Sequence, residues 1–340
     1  VMHPEYTAYQ RSPHARVPCV DCHIGEGADW FARSKLSGLR QVLATATGDF
    51  ARPVPAPVKH LRPARETCEK CHWPKKFHGE RLMVRHQFAS DEKNTRTTNV
   101  VRLNVGGENR RTGKYEGIHW HVAPDVRIEY ESLDPGRKTI GKVTMTLGGD
   151  KTVFRAPKER QGSTVHERRV MDCVDCHNRP THIYDPTPEV ALDQALARDK
   201  LDRTLPFIRR EGVRLLKQKI KAPQRAAELF SEELRAYYAK AFPRVAALKG
   251  AAIAKAGREL GWLYRRNIYP DMKITWGTYP SHLGHRQTTE GCFRCHDDEH
   301  VAMGNADKVI RQDCDICHEV MAEEEEKPDI PEALMARGEM

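Results

Sequence analysis

The chain has 340 residues, of which 56 are Lys or Arg and 47 are Asp or Glu, giving a formal net charge of +9. Hydrophobic residues make up 39% of the sequence and its mean hydropathy is -0.69, and no stretch reaches the roughly 18 consecutive apolar residues that a membrane-spanning helix needs. We therefore expect a chain that does not itself cross a bilayer, and its length allows about two or three domains.

The first part of the chain, residues 1–93, is polar and rich in turns, and it contains two C-x-x-C-H runs at 19–23 and 68–72. Between these runs, the segment 52–58 carries proline at alternate positions. Such spacing favours an extended backbone, so the segment is predicted to be an extended connector.

Residues 97–156 have a different pattern. Apolar and polar residues alternate at 100–105, 126–130 and 142–147, and the first and third of these segments end at glycine pairs. Alternation with a period of two is typical of half-buried strands. We predict a small antiparallel β-sheet, inserted between the second and third C-x-x-C-H runs.

Residues 187–268 contain neither cysteine nor histidine and are predicted to form a helical spacer. Thr187 can cap a helix whose first residue is Pro188, and the apolar residues from 192 to 216 follow the helical period. Ser231 is expected to cap a further helix.

The other three C-x-x-C-H runs are at 173–177, 292–296 and 314–318. After the last run the chain carries four consecutive glutamates, residues 323–326. Because a run of like charges resists packing, we predict that this tail is disordered or loosely docked.

The ten cysteines all belong to the five C-x-x-C-H runs, and none is left over. Two thiols three positions apart can add to the two vinyl groups of one haem, while the next imidazole binds its iron as the proximal ligand. Structural zinc or disulfides would not require a histidine directly after every pair. We predict five covalently attached haem c groups. The attachment residues are Cys19, Cys22, Cys68, Cys71, Cys173, Cys176, Cys292, Cys295, Cys314 and Cys317, and the proximal iron ligands are His23, His72, His177, His296 and His318.

The predicted fold is a multihaem cytochrome c that is mainly α with little regular structure, packed around covalent haems, with a small inserted antiparallel sheet and a helical spacer. Its predicted units are a three-haem region at 1–186 with the β insertion at about 97–156, the spacer at 187–268, and a two-haem module with an acidic tail at 269–340.

Covalent haem attachment needs reduced cysteine pairs and takes place in the periplasm or its equivalent. We therefore expect an exported protein on the periplasmic or extracellular side, with membrane association left open. Five haems bring about ten propionate charges, which offset the basic excess. A nucleic-acid partner is therefore not expected.

Twelve further histidines are available as second axial ligands. A histidine four or five residues from a run cannot pass round to the far face of that run's own haem, but it can reach the iron of a neighbouring haem. On this argument we predict that His14, His182 and His300 are distal ligands. His285, in the turn region before the fourth run, is also predicted, with His282 as its alternative.

Two histidines flank Trp120, and an extended chain would point both of them to one face. His119 is predicted as a distal ligand on this basis. Competing candidates for the same role are His86, His121 and His166, whereas His3, His60 and His78 are expected to be surface residues.

The third run, Cys-Val-Asp-Cys-His followed by His182, resembles the C-x-D-C-H-x4-H segment of the NapC/NirT family of membrane-anchored, quinol-oxidising cytochromes. Ser12-Pro13-His14 before the first run is similar to that family's second haem site, and Glu66-Thr67 before the second run to its third. The resemblance covers about residues 1–185. It implies that His182 serves the haem on His23, and that His14 serves the haem on His177.

The inserted sheet and everything after residue 187 depart from the short family pattern and look more like longer multihaem relatives with extra C-terminal haems. The family also has an N-terminal anchor helix and a first haem motif followed by Met. Here Val1-Met2 stands where that motif would end, so either this haem is lacking or the sequence is trimmed. Lys35 roughly matches a family lysine near the quinol pocket, with an ordinary surface lysine as the alternative.

We predict a multihaem c-type cytochrome that relays single electrons, in anaerobic respiration, from a membrane quinol-linked donor to periplasmic or extracellular redox partners. Expected partners are other cytochromes or redox proteins, with quinol reached through a membrane anchor or a partner subunit, and an oligomer is left open. One alternative is a multihaem enzyme with one open haem that acts on a small nitrogen or sulfur compound. The other is a subunit of an extended cytochrome assembly.

Overall fold

The computed structural model describes residues 1–25, 27–57, 63–73, 79–109, 111–285 and 290–338. The surface expectation for His60 and His78 therefore lies outside the described residues. The chain is a mixed α/β protein, 39% helical and 19% strand. The prediction of a mainly α chain with little regular structure is wrong, because the alternating segments pair into more extensive sheets than a small insertion.

The α-helices of the described part are, in chain order, α1 (His3–Tyr9), α2 (Cys19–His23), α3 (Ala28–Thr47), α4 (Ala64–Cys68), α5 (Cys173–Cys176), α6 (Pro188–Ala197), α7 (Ile208–Leu216), α8 (Ala226–Ala241), α9 (Pro243–Leu248), α10 (Gly250–Arg265) and α11 (Glu332–Gly338). The strands are β1 (Glu80–Phe88), β2 (Arg96–Asn104), β3 (Gly107–Glu108), β4 (Tyr115–Glu116), β5 (Val126–Ser132), β6 (Ile140–Leu147), β7 (Asp150–Arg155), β8 (Glu167–Val170), β9 (Val301–Ala302) and β10 (His318–Glu325). In the described part, no helix is both long enough and apolar enough to cross a bilayer.

The strands pair antiparallel into a five-stranded sheet of order β8-β5-β6-β7-β9, a three-stranded sheet of order β1-β2-β10, and the pair β3-β4. The three alternating segments are confirmed as strands β2, β5 and β6. They belong to two sheets rather than to one. Along β5, Val126, Ile128 and Tyr130 are buried at every second position, as the pleat of a strand with one covered face requires.

The acidic tail is ordered as far as Glu325, contrary to the prediction. Strand β10 pairs with β2, placing Val320 opposite Val101 and Ala322 opposite Val100. Strand β2 otherwise has an open edge, and its backbone N–H and C=O groups gain partners from the tail. The glutamates stay exposed while Ala322 is buried, so charge alone did not prevent this segment from pairing.

The segment from α6 to α10 forms a helical core. Thr187 caps α6 by accepting from the Val190 N–H at 3.2 Å, and Pro188 is the first helical residue, as predicted. The expectation for Ser231 is wrong: it lies inside α8, and its hydroxyl donates to the Ala227 carbonyl at 2.6 Å. The fully buried residues of this core include Leu192, Leu205, Ile208, Leu215, Leu216, Phe230, Leu234, Tyr238 and Leu260.

The N-terminal part has almost no apolar core of its own. Among the described residues of 1–73, the buried apolar side chains besides Pro4 are Ala8 and Ala64. The connector is nevertheless anchored, because the Tyr279 hydroxyl donates to the Val54 carbonyl at 2.9 Å. Large flat haem groups would supply the missing hydrophobic surface of this region.

Candidate haem-binding sites

Each C-x-x-C-H run lies on a short helical turn. The first is α2, the second follows α4, the third is α5, and the last two begin in 3-10 turns at Gly291–Arg294 and Cys314–Ile316. In the second, third and fourth runs the histidine N–H donates to the carbonyl of the first cysteine, at 2.7, 2.8 and 3.1 Å. All ten cysteines are described and none forms a disulfide. This geometry fits two thioether bonds and one proximal ligand per run.

The first three runs are neighbours in space. The ring of His14, just before the first run, lies 5.8 Å from the ring of His72 in the second. The Ala64 N–H, at the start of α4, donates to the Asp172 carboxylate at 2.9 Å, which places the second run beside the third. In the haem-free polypeptide, burial raises the pKa of the Cys22 thiol, and so does the nearby thiol of the second run's first cysteine.

The last three runs continue the same order. Arg294, inside the fourth run, donates to the carbonyl of Asp175, inside the third, at 2.7 Å. His296 of the fourth run has its Nδ1 2.6 Å from the carbonyl of Arg311, three residues before the fifth run. The five runs therefore form an unbroken series in space that follows their order along the chain.

Four of the five proximal histidines face a second imidazole. A ring nitrogen lies about 2 Å from a metal that it binds, so two rings on opposite sides of one iron have centroids about 6 Å apart. The observed centroid distances are 6.2 Å for His23 and His182, 5.8 Å for His72 and His14, 5.8 Å for His296 and His121, and 6.0 Å for His318 and His285. The centroid distances of these pairs are compatible with two histidines on one iron, and ligation stays a prediction.

The fifth proximal histidine, His177, also has a candidate opposite ligand. Burial lowers the pKa of His177, and the charges of His119 and, to a smaller extent, His72 lower it further. Burial likewise lowers the pKa of His119. The two imidazoles are thus within electrostatic range of each other.

The Nδ1 atoms of these opposing histidines lie near backbone carbonyl oxygens. A ring that donates from Nδ1 to a carbonyl is fixed in orientation, and its Nε2 is left available to bind a metal. The Nδ1 to carbonyl oxygen distances are 3.3 Å from His14 to Pro180, 2.9 Å from His182 to Glu5, 3.0 Å from His119 to Val105 and 2.8 Å from His121 to Ile118.

A single 3-10 turn, Ile118–Val122, carries both His119 and His121. We expected an extended segment that points both rings to one face, and this is wrong. Because a 3-10 helix has three residues per turn, positions two apart project in different directions. The turn therefore brings His121 to the fourth run and His119 towards the third. His121, treated from the sequence as a competitor, is the residue that sequence reasoning undervalued.

His300, which is predicted as a distal ligand, has both ring nitrogens in contact with other groups of the protein. Its side chain is fully buried, with Nδ1 2.9 Å from the Asp297 carboxylate and Nε2 2.8 Å from the Gly141 carbonyl. These contacts favour a structural role over iron ligation, and ligation by His300 stays a prediction. Its closeness to the fourth run reflects a structural role, joining that run to strand β6.

Other histidine expectations have mixed outcomes. His14 lies against His72, whereas the resemblance implied the haem on His177, and His182 lies against His23, where the resemblance placed it. His285 rather than His282 lies against His318. His86 has its Nδ1 3.0 Å from the Thr98 hydroxyl, and His3 is exposed. Whether these histidines bind iron stays a prediction.

A buried charge cluster surrounds the third run. The Asp175 carboxylate accepts from the Tyr130 hydroxyl at 2.6 Å, from Arg169 at 3.0 Å and from Arg137 at 3.3 Å. It also accepts from the Asp172 N–H at 2.8 Å, which closes a capping box on α5. Burial, and then the Asp175 charge, raises the pKa of Tyr130. The cluster fixes the turn that carries the third haem site.

A curated relative matches nearly the whole chain. The chain is 41% identical over 341 residues to the cytochrome c-type protein ImcH of Geobacter sulfurreducens, an alignment that covers 99% of this chain and 66% of that protein. The chain thus spans somewhat less than two thirds of its relative's length. No family model matches the chain, and no solved structure matches it.

Proposed function

We propose that the chain, which is similar over 99% of its length to a cytochrome c-type protein, is itself a c-type cytochrome that relays single electrons through five haems, from a quinol-linked membrane donor to periplasmic or extracellular redox proteins. The observation that carries the proposal is the unbroken spatial series of the five C-x-x-C-H turns. Bound haem supplies one-electron chemistry between ferric and ferrous iron. The count of five haems, the periplasmic location, a role in anaerobic respiration and kinship with the NapC/NirT family belong to the same proposal.

The proposed ligands would hold each haem through two histidines. The pairs are His23 with His182, His72 with His14, His177 with His119, His296 with His121, and His318 with His285. Two protein ligands leave no position for a substrate, and this supports a relay rather than an enzyme with an open haem. The side chains' contribution is to hold the haems side by side and to set their potentials.

The distal ligands come from segments outside the runs that they serve. His182 follows the third run but lies against the first, and His14 precedes the first but lies against the second. Each such ligand ties two sites together, which keeps the distance between neighbouring haems fixed. A fixed short distance is what a relay needs, because each electron must cross from one haem to the next.

The proposed ligand set is tested by removing one proposed distal imidazole and, in a separate variant, a histidine that is not in the set. We expect His121→Ala to convert one haem of the oxidised protein to the high-spin state, because its iron loses an axial ligand. The control is His86→Ala, on strand β1, which leaves every haem low-spin. If the His121 variant stays fully low-spin, or the His86 variant does not, the proposed set is wrong.

The relay itself is tested by interrupting its centre. A flash of one-electron reductant places one electron on each molecule, and its redistribution among the haems is followed optically at several protein concentrations. Transfer within one molecule has a rate that does not depend on concentration. Such independence is expected for the unaltered holoprotein, and a concentration-dependent rate there would contradict the relay.

Two matched variants locate the path. Cys173→Ser with Cys176→Ser removes the third haem, and exchange between the two halves of the series should then become concentration-dependent. Cys314→Ser with Cys317→Ser removes the terminal fifth haem and should leave exchange among the other four independent of concentration. The spectrum of the four remaining haems checks that each variant has folded.

A further inference from the structure

Helix α3, Ala28–Thr47, is the longest helix of the described part, and none of its twenty residues is buried. Five large apolar side chains on it are between 57% and 73% exposed: Phe31, Leu36, Leu39, Val42 and Leu43. A β-carbon built at Gly38, in the middle of the helix, meets nothing within 4 Å. Within the described residues, the helix therefore has no packing partner along most of its length.

The apolar side chains lie on one side of α3. At about 100° per residue, the five residues fall within an arc of about 140°. Lys35 lies inside this arc with its Nζ 4.9 Å from the Phe31 ring centre, which lets its aliphatic stem lie along the apolar surface while the charge reaches outward. The opposite side carries Ser37 and Gln41. We call the side defined by the five apolar residues the α3 apolar face.

The charges of α3 point to the partner. The helix carries three basic residues, Arg33, Lys35 and Arg40, and one acidic residue, Asp29. Both arginines lie just beyond the Leu36 edge of the face. Four charges exclude a membrane-spanning path, but a basic helix with one apolar side is suited to lie in the interface of a bilayer that contains anionic lipid. A second copy of the same face would bring like charges together.

A single haem on the first run would not cover the face. His23, the proximal ligand of that run, is five residues before Ala28, and the face continues to Leu43, over a helix about 30 Å long. The far half, with Leu39, Val42 and Leu43, is well away from the first attachment site.

We propose that the α3 apolar face docks the protein onto the surface of an anionic lipid bilayer. Because α3 directly follows the first run, docking would hold the first haem of the series at the membrane and direct the fifth away from it. This orientation deepens the proposed relay, and it rests on that proposal for its role in electron flow. The docking surface itself can be tested without any electron transfer.

The test measures co-sedimentation of the holoprotein with vesicles of phosphatidylcholine mixed with phosphatidylglycerol, and with vesicles of phosphatidylcholine alone. We expect the protein to bind the anionic vesicles, and binding to weaken as salt is raised. Failure to bind the anionic vesicles would overturn the proposal.

Two double variants with the same charge change separate the face from the helix as a whole. Leu39→Glu with Leu43→Glu places both charges on the apolar face, whereas Ser37→Glu with Gln41→Glu places them opposite. We expect the first pair to bind anionic vesicles at least about tenfold more weakly than the second. Equal loss in both pairs would overturn the docking surface.

Sedimentation of the protein without vesicles tests whether a second copy of the chain occupies the α3 apolar face. Self-association that the Leu39→Glu and Leu43→Glu pair abolishes, without vesicle binding by the unaltered protein, would assign the face to a second copy and contradict the proposal. The proposed relay has its own test, because it would be contradicted by concentration-dependent electron redistribution in the unaltered protein and not by a failure to bind vesicles. Haem content and the low-spin spectrum of each variant confirm that its fold is retained.

Discussion

At the scale of single residues, the structure around the third C-x-x-C-H run depends on Asp175. Its side chain is 1% exposed and is paired with Arg137, which is 5% exposed, and with Arg169. Removing one partner of a buried ion pair leaves the other charge without compensation in a medium of low polarity. The main effect of the carboxylate is thus to compensate the positive charges of the neighbouring arginines.

Replacing Asp175 by Asn should lower the free energy of unfolding by about 3 kcal/mol, because buried Arg137 then keeps only the more exposed Glu167, 3.1 Å away, as its counter-charge. The matched control is Asp21→Asn, the corresponding position of the first run. Asp21 is exposed, so its change should stay within about 0.5 kcal/mol. Denaturant unfolding followed at the haem absorption compares the two, and equal effects would show that the cluster is not stabilising.

The turn between β1 and β2 supplies a pH-dependent residue. The Thr95 hydroxyl and N–H donate to the Asp91 carboxylate at 2.5 and 2.8 Å, and these hydrogen bonds lower the pKa of Asp91 from its ordinary value of 3.8. The folded state therefore favours the charged form. The contribution of the Asp91 carboxylate to stability is present above its ordinary pKa and is lost as the pH falls through the lowered pKa of the folded state.

Asp91→Asn should therefore be less stable than the unaltered protein near neutral pH, and the difference should shrink below about pH 4. Unfolding measured between neutral and strongly acidic pH gives both curves. The neighbouring Glu92→Gln variant serves as the control. A difference that grows as the pH falls would have the wrong sign for this contact.

Residue roles are predicted most directly where the chemistry is local. The C-x-x-C-H spacing alone indicates attachment and proximal ligation. The distal ligands are harder because they depend on which segments meet: His300 is near a run in sequence, yet Asp297, three residues before it, and Gly141 occupy its nitrogens. His121 is far from every run in sequence, and a 3-10 turn brings it to His296.

At the scale of elements, α8 and α10 pack at unusually close range. A β-carbon built at Gly261 would lie 2.3 Å from the Cα of Ala227, and one at Gly257 would lie 2.3 Å from the Ser231 hydroxyl oxygen. Because the nearest atom to Gly261 belongs to the backbone, it cannot move aside by rotating a side chain. The absence of a side chain at these positions sets the distance between the two helices.

Gly261→Ala should lower the free energy of unfolding by about 1–3 kcal/mol, because the added methyl group forces the helices apart. Gly250→Ala, in the same helix, is the control. A β-carbon there meets nothing within 4 Å, so this change should be neutral or stabilising by up to about 1 kcal/mol through helix propensity. Thermal unfolding followed by circular dichroism checks both, and similar effects would contradict the close contact.

Elements with a strong period were predicted correctly, and those created by pairing were not. The alternation in β5 and the cap at Thr187 are readable because each depends on residues near in sequence. Strand β10 forms because β2 offers an open edge more than two hundred residues earlier. Nothing in the four glutamates 323–326 indicates that edge.

At the scale of the whole molecule, hydrophobic surface is unevenly distributed. The helices α6–α10 bury a continuous apolar core, whereas the described part of residues 1–73 buries little more than Ala8 and Ala64. The helical core is complete without a cofactor. We expect the N-terminal part to depend on haem for its stability.

Protein produced without haem attachment should therefore lose structure in one part and keep it in another. Limited proteolysis should cleave residues 1–73 rapidly and spare 188–265, whose burial does not involve haem. Holoprotein treated in parallel should resist cleavage in both regions. Equal protection of residues 1–73 with and without haem would contradict a porphyrin-dependent core.

The central claim is that five haems each have two histidine ligands and form one series. Electron paramagnetic resonance of the fully oxidised, unaltered holoprotein tests this claim most directly, because spin state reports the axial ligands. We expect low-spin ferric signals that account for all five haems. A high-spin ferric signal accounting for one haem would contradict the claim, since it would show an iron with an open axial position.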